Sequence, residues 1–165
     1  LTEAYVAFDD LQDPYGIRFW PRFKGRDGCR TPMPWVTDNH NGGFSDAKPW
    51  LPVAVEHLSR AVAEQAQAED STMIFYKNMI RFRQSYKALI KGAMSDLTAG
   101  EGTVSFVRTE GDQRLFCAFN LTNTAQPVDL PEGRWRQDKG APFTAVVGDA
   151  GLTLPPYQAY FAAAE

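Results

Sequence analysis

The chain has 165 residues, 44% of them hydrophobic and 22% charged, a balance that supports a packed core and excludes wholesale disorder. That length fits one ordinary domain, or a small domain plus part of another, and excludes a complete catalytic barrel of roughly 250 residues. Seventeen Lys and Arg against twenty Asp and Glu give a net charge of -3 with no long basic run, so neither nucleic acid nor, with no apolar run of about 18 residues, a membrane is an expected partner.

The first residue is Leu1, and no basic start leads into an apolar stretch, which reads as a cut terminus. Up to Pro52, prolines at 14, 21, 32, 34, 49 and 52 and glycines at 16, 25, 28, 42 and 43 leave no room for a helix of normal length. The same stretch is dense in aromatics: Tyr5, Phe8, Tyr15, Phe19, Trp20, Phe23, Trp35, Phe44 and Trp50. Such rings need burial against something to offset the entropy of ordering them. A loop of this length and composition therefore reads as a functional segment laid over a scaffold that other residues supply.

Residues 54–69, rich in Ala, Glu and Gln, predict a short helix or helical turn. Asp70 or Ser71 is then placed to cap a stronger helix running to about Lys87. Met73, Tyr76 and Ile80 form one apolar stripe on it, and Phe75, Met79, Phe82 and Tyr86 form the neighbouring one. An arc that wide suits packing against a sheet. Lys77, Arg81, Arg83 and Lys87 gather in its second half, where the helix dipole favours positive charge.

From about residue 90 the hydrophobic period changes to two. Runs at 89–94, 103–108, 114–121, 126–130, 144–147, 151–154 and 158–162 are rich in Val, Phe, Leu and Thr, with Gly and Pro turns between them. Six or seven short strands at this spacing predict an antiparallel β-sandwich. The expected division is a loop-and-helix portion, 1–89, and a β domain, 90–165.

The most unusual local sequence is GRDGCRTPMPW, residues 25–35. Arg26 and Arg30 bracket Asp27, and two readings stay open. An arginine facing a cleft presents a planar fork of donors for vicinal hydroxyls or a carboxylate; alternatively, Arg26 and Asp27 are an ion pair stapling a loop. Asp9, Asp10, Asp13, Asp27, Asp38 and Asp46 supply carboxylates of the kind glycoside hydrolysis needs in pairs, but Asp9, Asp10 and Asp13 serve equally as turn and cap residues. Tyr15, Trp20, Trp35, Phe44 and Trp50 are either sugar-stacking platforms or core. Asn120-Leu121-Thr122 matches the glycosylation pattern without a secretory signal to accompany it. Cys29 and Cys117 read as free thiols, and Cys29, with no histidine near in sequence, is a poor nucleophile. With His40 and His57 as the only histidines, no metal site and no cofactor are expected.

Three ordered motifs carry a resemblance. GRDGCRTPMPW, then NHNGGFSDAKPWLPV, then EDSTMIFYKNMIRFRQSYKAL resemble the C-terminal portion of the α-glucosidases and oligo-1,6-glucosidases of the α-amylase family. There an RD-x-x-RTPM-x-W loop, a GF-S/T-x-x-x-PW stretch and an S-x-x-x-FY-x-x-x-I-x-x-R helix occur in the same order. Beyond residue 90 the likeness is one of pattern only.

The resemblance implies a (β/α)8 barrel that hydrolyses α-glucosidic bonds with retention, its nucleophile, acid/base and third aspartate all lying upstream of this chain. No catalytic residue is then expected here. The implied fold class is an α+β fragment: a loop-rich segment and the last barrel helix, followed by a C-terminal antiparallel β-sandwich. Arg30 matches the family arginine at the bottom of the glucose pocket, and Trp35 and Phe44 are implied as pocket wall or loop support. Pro34 departs from the Gln or Val of many relatives. The implied partners are an α-glucoside oligosaccharide, bound together with the missing barrel, and the remainder of the chain's own catalytic domain; the implied location is cytoplasmic. The alternative is a stand-alone carbohydrate-binding β-sandwich, whose platform would have to come from Trp135, Tyr157 and Tyr160.

Overall fold

The computed structural model describes residues 2–143, 145, 147–148 and 151–165. The chain divides into two compact units, one reaching to Phe75 and the other running from Tyr76 to Glu165.

In the first unit, prolines and glycines keep regular structure short, as their spacing predicts. Before residue 55 there are 3-10 turns at Phe8–Asp10, Asp27–Cys29 and His40–Gly43, and one six-residue helix, α1, Pro14–Phe19. Asp13 caps α1 by accepting from the Tyr15 amide, with Pro14 in the first turn. The short helix or helical turn predicted over 54–69 is instead two helices, α2, Val55–Leu58, and α3, Val62–Gln67. The break has a tertiary cause: the amides of Val62 and Ala63 donate to the carbonyls of Pro34 and Trp35 at 3.1 and 3.0 Å, and these bonds replace the ladder that a continuous helix would need. Ser71 caps the next helix, α4, Thr72–Ser85, its hydroxyl accepting from the Ile74 amide.

The core of this unit is small. Val6, Leu11 and Leu51 are buried with Trp20 packed half-buried against them. Most of the rings stay outside. Tyr5, Tyr15 and Trp50 are 65%, 66% and 64% exposed, and Phe8, Phe19, Phe23, Trp35 and Phe44 are each about half exposed. Tyr5 and Phe8 sit with their centroids 6.1 and 5.9 Å from that of Trp20, and Tyr15 lies 5.7 Å from Phe19. The result is aromatic surface rather than aromatic core.

In the second unit, α4 ends at Ser85 and a short helix, α5, Lys87–Lys91, follows. This corrects the strand expected at 89–94. Gln113 accepts from the Ala88 amide through its side chain, and Gly92 closes the turn by donating to Ala88. A Cβ on Gly92 would lie 2.5 Å from the Ala88 carbonyl oxygen and 2.7 Å from that of Thr109, so only glycine lets the chain leave a helix and enter a strand here.

Eight strands follow among the described residues: β1, Ala93–Ala99; β2, Thr103–Glu110; β3, Gln113–Asn120; β4, Gln126–Val128; β5, Trp135–Gln137; β6, Val147–Gly148; β7, Gly151–Leu154; β8, Ala159–Ala164. Residues 144 and 146 of the strand expected at 144–147 lie outside the described residues. The strands form two antiparallel sheets, β1-β2-β3-β8-β5 and β4-β7-β6.

Register places Val107 opposite Phe116 and Phe116 opposite Ala162. On that face of the large sheet Val107, Phe116, Ala118, Tyr160 and Ala162 meet Leu152 and Leu154 of β7, with Val128 and Trp135 at the margin. The opposite face presents Leu115, Cys117, Ala159 and Phe161 to Phe82 of α4, joined by Met79 and Tyr86. The sandwich core and the helix-on-sheet layer thus use alternate residues of the same strands. Three of the four residues in the second predicted stripe, Met79, Phe82 and Tyr86, are those that reach the sheet, and Phe82 and Phe161 meet edge to face with centroids 4.9 Å apart.

Candidate functional site

The loop at 25–30 is organised by a buried carboxylate. Asp27 is fully buried, and its Oδ2 accepts from the main-chain amides of Gln12 and Asp13, both at 2.7 Å. Those bonds fix the start of α1. Asp13 returns the connection: Oδ1 accepts from the Tyr15 amide and Oδ2 from the Arg26 amide, each at 2.9 Å. The Arg26 amide, then the Tyr15 amide and, more weakly, the Arg30 guanidinium hold the Asp13 carboxyl below the usual carboxylate range.

Gly28 sets the other side of the loop. Ala4 donates to the Gly28 carbonyl at 2.9 Å, and a Cβ on Gly28 would stand 2.2 Å from the Ala4 carbonyl oxygen. No side chain fits there.

Arg30 leaves this frame with its side chain 44% exposed. Its Nη1 lies 3.8 Å from Asp13 Oδ2 and 3.9 Å from Asp27 Oδ1. The ion pair considered for Arg26 and Asp27 gives way to a different arrangement: Arg30 faces the carboxylates, and Arg26, itself exposed, is held through its main chain. Arg30 borders an open cleft lined by Asp13, Pro14, Tyr15, Phe23 and Arg26.

Trp35 and Phe44 are carried by a second turn. Gly42 accepts from the amides of Trp35 and Val36 at 2.7 and 3.1 Å. Asn41 and Gly42 both take positive φ, 50° and 61°, and the Asn41 side chain donates to the carbonyls of Ser45 and Ala47. Their rings are 48% and 49% exposed. No hydrogen bond, ion pair or ring contact among the described residues joins either ring to Arg30. Pro34 is fully buried, and a Cβ on Gly42 would lie 3.0 Å from the Pro34 Cβ, so the departure seen at Pro34 is a packing position.

The sequence singles out Arg30 but not its approach to Asp13. Asp13 precedes a proline and reads as a cap, which it is; its second role depends on a contact 17 residues away that no local pattern announces.

Residues 2–92 match the α-amylase catalytic-domain family, and residues 97–161 match the C-terminal domain of maltogenic amylases. The chain belongs to the α-amylase family, as a portion of its catalytic domain followed by a C-terminal β domain. A probable α-glucosidase of Rhizobium meliloti (strain 1021) is 42% identical over 162 residues, covering 98% of this chain and 29% of that protein. An oligo-1,6-glucosidase of Heyndrickxia coagulans is 32% identical over 116 residues, 70% of this chain and 21% of that protein. Among solved structures, the α-glucosyl transfer enzyme XgtA superposes over all of this chain and 31% of its own, with a TM-score of 0.85 and 39% identity. At 29%, 21% and 31%, the chain spans less than a third of the length of each of these relatives. No helix among the described residues is long and apolar enough to cross a membrane.

Proposed function

We propose that this chain is the C-terminal part of a retaining, exo-acting α-glucosidase, with 1–89 the tail of its (β/α)8 barrel and 90–165 an accessory β-sandwich. The observation that carries the reading is the aromatic surface of the first unit. Eight rings around an ordered loop stand half to two-thirds exposed beside a core of only a few residues, as expected of a face built to pack on the rest of a barrel.

In this reading the bond-breaking carboxylate pair comes from the upstream part of the protein, and the present chain supplies the wall of the glucose pocket. Arg30 donates from its planar guanidinium to adjacent sugar hydroxyls, while Trp35 and Phe44 offer ring faces to the apolar C–H side of the sugar or support the loop. The substrate is an α-glucoside oligosaccharide, and the protein works in the cytoplasm.

The 165-residue chain alone is expected to leave a nitrophenyl α-glucoside intact, whereas the longer protein containing it hydrolyses the compound. Arg30→Ala in the longer protein is expected to lower kcat/KM by about 10- to 100-fold, the range for losing hydrogen bonds from a charged donor. Turnover by the short chain, abolished by changing one of its own aspartates, would overturn the reading. The binding-module alternative finds little support: Tyr160 is buried and Trp135 packs at the margin of the inter-sheet core with its indole N–H donating to the Pro131 carbonyl, which leaves Tyr157 as the one well-exposed ring of the three.

A further inference from the structure

Asp27 uses only half of its carboxylate. Oδ2 accepts two main-chain N–H bonds at 2.7 Å. Oδ1 is equally enclosed, accepts no hydrogen bond, and has the Arg30 guanidinium 3.9 Å away. A buried carboxylate oxygen without a donor is costly unless a cation compensates it. Asp13 Oδ2 approaches the same arginine nitrogen at 3.8 Å, and Asp13 is itself tied down by the amides of Tyr15 and Arg26. One nitrogen of Arg30 therefore lies near two anions, each anchored to the main chain.

That arrangement matters because of what Arg30 would otherwise do. A long, 44% exposed side chain samples many rotamers, and ordering it at the moment of binding weakens whatever it binds. Two fixed carboxylates drawing on Nη1 leave Nη2 and Nε, with their remaining protons, available to a ligand.

We propose that Asp27, assisted by Asp13, is a positioning residue that holds the Arg30 guanidinium ready for the hydroxyls of the α-glucoside; the proposal rests on the reading of Arg30 as a substrate contact. Asp27 touches no substrate and acts only through Arg30. The sequence motif joining Asp27 to Arg30 is then a functional unit in which the aspartate both staples the loop through Oδ2 and aims the arginine through Oδ1.

Asp27→Asn separates the two roles. The asparagine carbonyl oxygen can keep the bonds from Gln12 and Asp13, while a neutral amide replaces the charge facing Arg30. In the full-length protein containing this chain, kcat/KM for a nitrophenyl α-glucoside is measured for wild type, Asp27→Asn, Arg30→Ala and the double variant. Positioning requires Asp27→Asn to lose about tenfold or more, and the double variant to be no worse than Arg30→Ala alone, because without the arginine there is nothing to aim. An unchanged Asp27→Asn, or a loss that multiplies in full with that of Arg30→Ala, overturns the positioning role and leaves Arg30 as a contact. An Arg30→Ala variant with wild-type kcat/KM overturns both readings. Should Asp27→Asn fail to fold, nuclear relaxation of the arginine Nε–H groups in the wild-type protein decides the matter: Arg30 is expected to be more rigid on the nanosecond scale than the exposed Arg22, and equal mobility refutes the proposal.

Discussion

Tyr86 and Asn120 show how single side chains tie the β unit together. The Tyr86 hydroxyl donates to Asp138 Oδ2, and burial first, then that hydrogen bond and the charge of Asp138, push the tyrosine from 10.0 up to about 12. The folded chain therefore keeps this proton to higher pH than the unfolded chain does. The stabilisation is complete below pH 10 and is lost as pH rises from 10 to about 12. Tyr86→Phe is expected to melt earlier than wild type at pH 8, by about 1 kcal/mol, and to show a shallower loss of stability between pH 10 and 12, measured by thermal melts across that range. Asn120 is 2% exposed; its amide donates to the carbonyls of Thr124, Leu154 and Pro155 while its Oδ1 accepts from the amide and hydroxyl of Thr122. The asparagine of the glycosylation pattern at 120–122 is thus a buried anchor of the turn, although Leu121 is exposed. Asn120→Ala should cost about 2–3 kcal/mol by urea denaturation, since it leaves enclosed carbonyls without donors. Burial also pushes the Cys117 thiol from 9.0 up to about 12, so a thiol reagent applied to native protein at pH 8 should modify the exposed Cys29 and reach Cys117 only after unfolding.

Among elements, legibility followed length and local contact. β2 and β7 were readable because apolar residues alternate along them between turn residues, and β3 and β8 because they are continuous apolar runs bounded by turn residues. β5 was not, since its three residues are too few to establish a period. Residues 89–91 read as the start of a strand and fold as part of the helix α5 because the Gln113 side chain, distant in sequence, accepts from its first turn; residues 54–69 read as a short helix or helical turn and form two because the carbonyls of Pro34 and Trp35 take the amides of Val62 and Ala63. Motif resemblance picks out Arg30, Trp35 and Phe44 as candidates, whereas the approach of Arg30 to Asp13 and Asp27 depends on loop closure that only the folded chain shows. The RDGCR loop itself depends on Gly28. Gly28→Ala places a methyl against the Ala4 carbonyl, main chain that cannot swing away, and should destabilise the first unit by about 1–3 kcal/mol. Faster amide exchange at Ala4, which donates to the Gly28 carbonyl, would register it.

At the scale of the whole molecule, the two units differ in how completely they bury what they carry. The β unit encloses Phe116, Leu115, Val107 and Leu154 almost entirely, with both faces of the large sheet covered at its β3–β8 centre. Such a unit resembles an ordinary domain interior. The first unit buries Val6, Leu11 and Leu51 but leaves Tyr5, Tyr15, Trp50 and their neighbours to solvent. Exposed apolar surface on that scale marks an interaction face, and under the proposed reading the face belongs to the upstream barrel. Trp50 reports on it directly, because Trp35 is assigned to the pocket wall, Trp135 packs at the margin of the inter-sheet core and Trp20 is half-buried. Acrylamide quenching of tryptophan fluorescence, run on the 165-residue chain and on the longer protein with Trp35 and Trp50 replaced by phenylalanine in turn, measures their access to solvent in each. Strong quenching of Trp50 in the short chain that falls several-fold in the longer protein is the expected result; equal quenching of Trp50 in the two proteins would contradict the account.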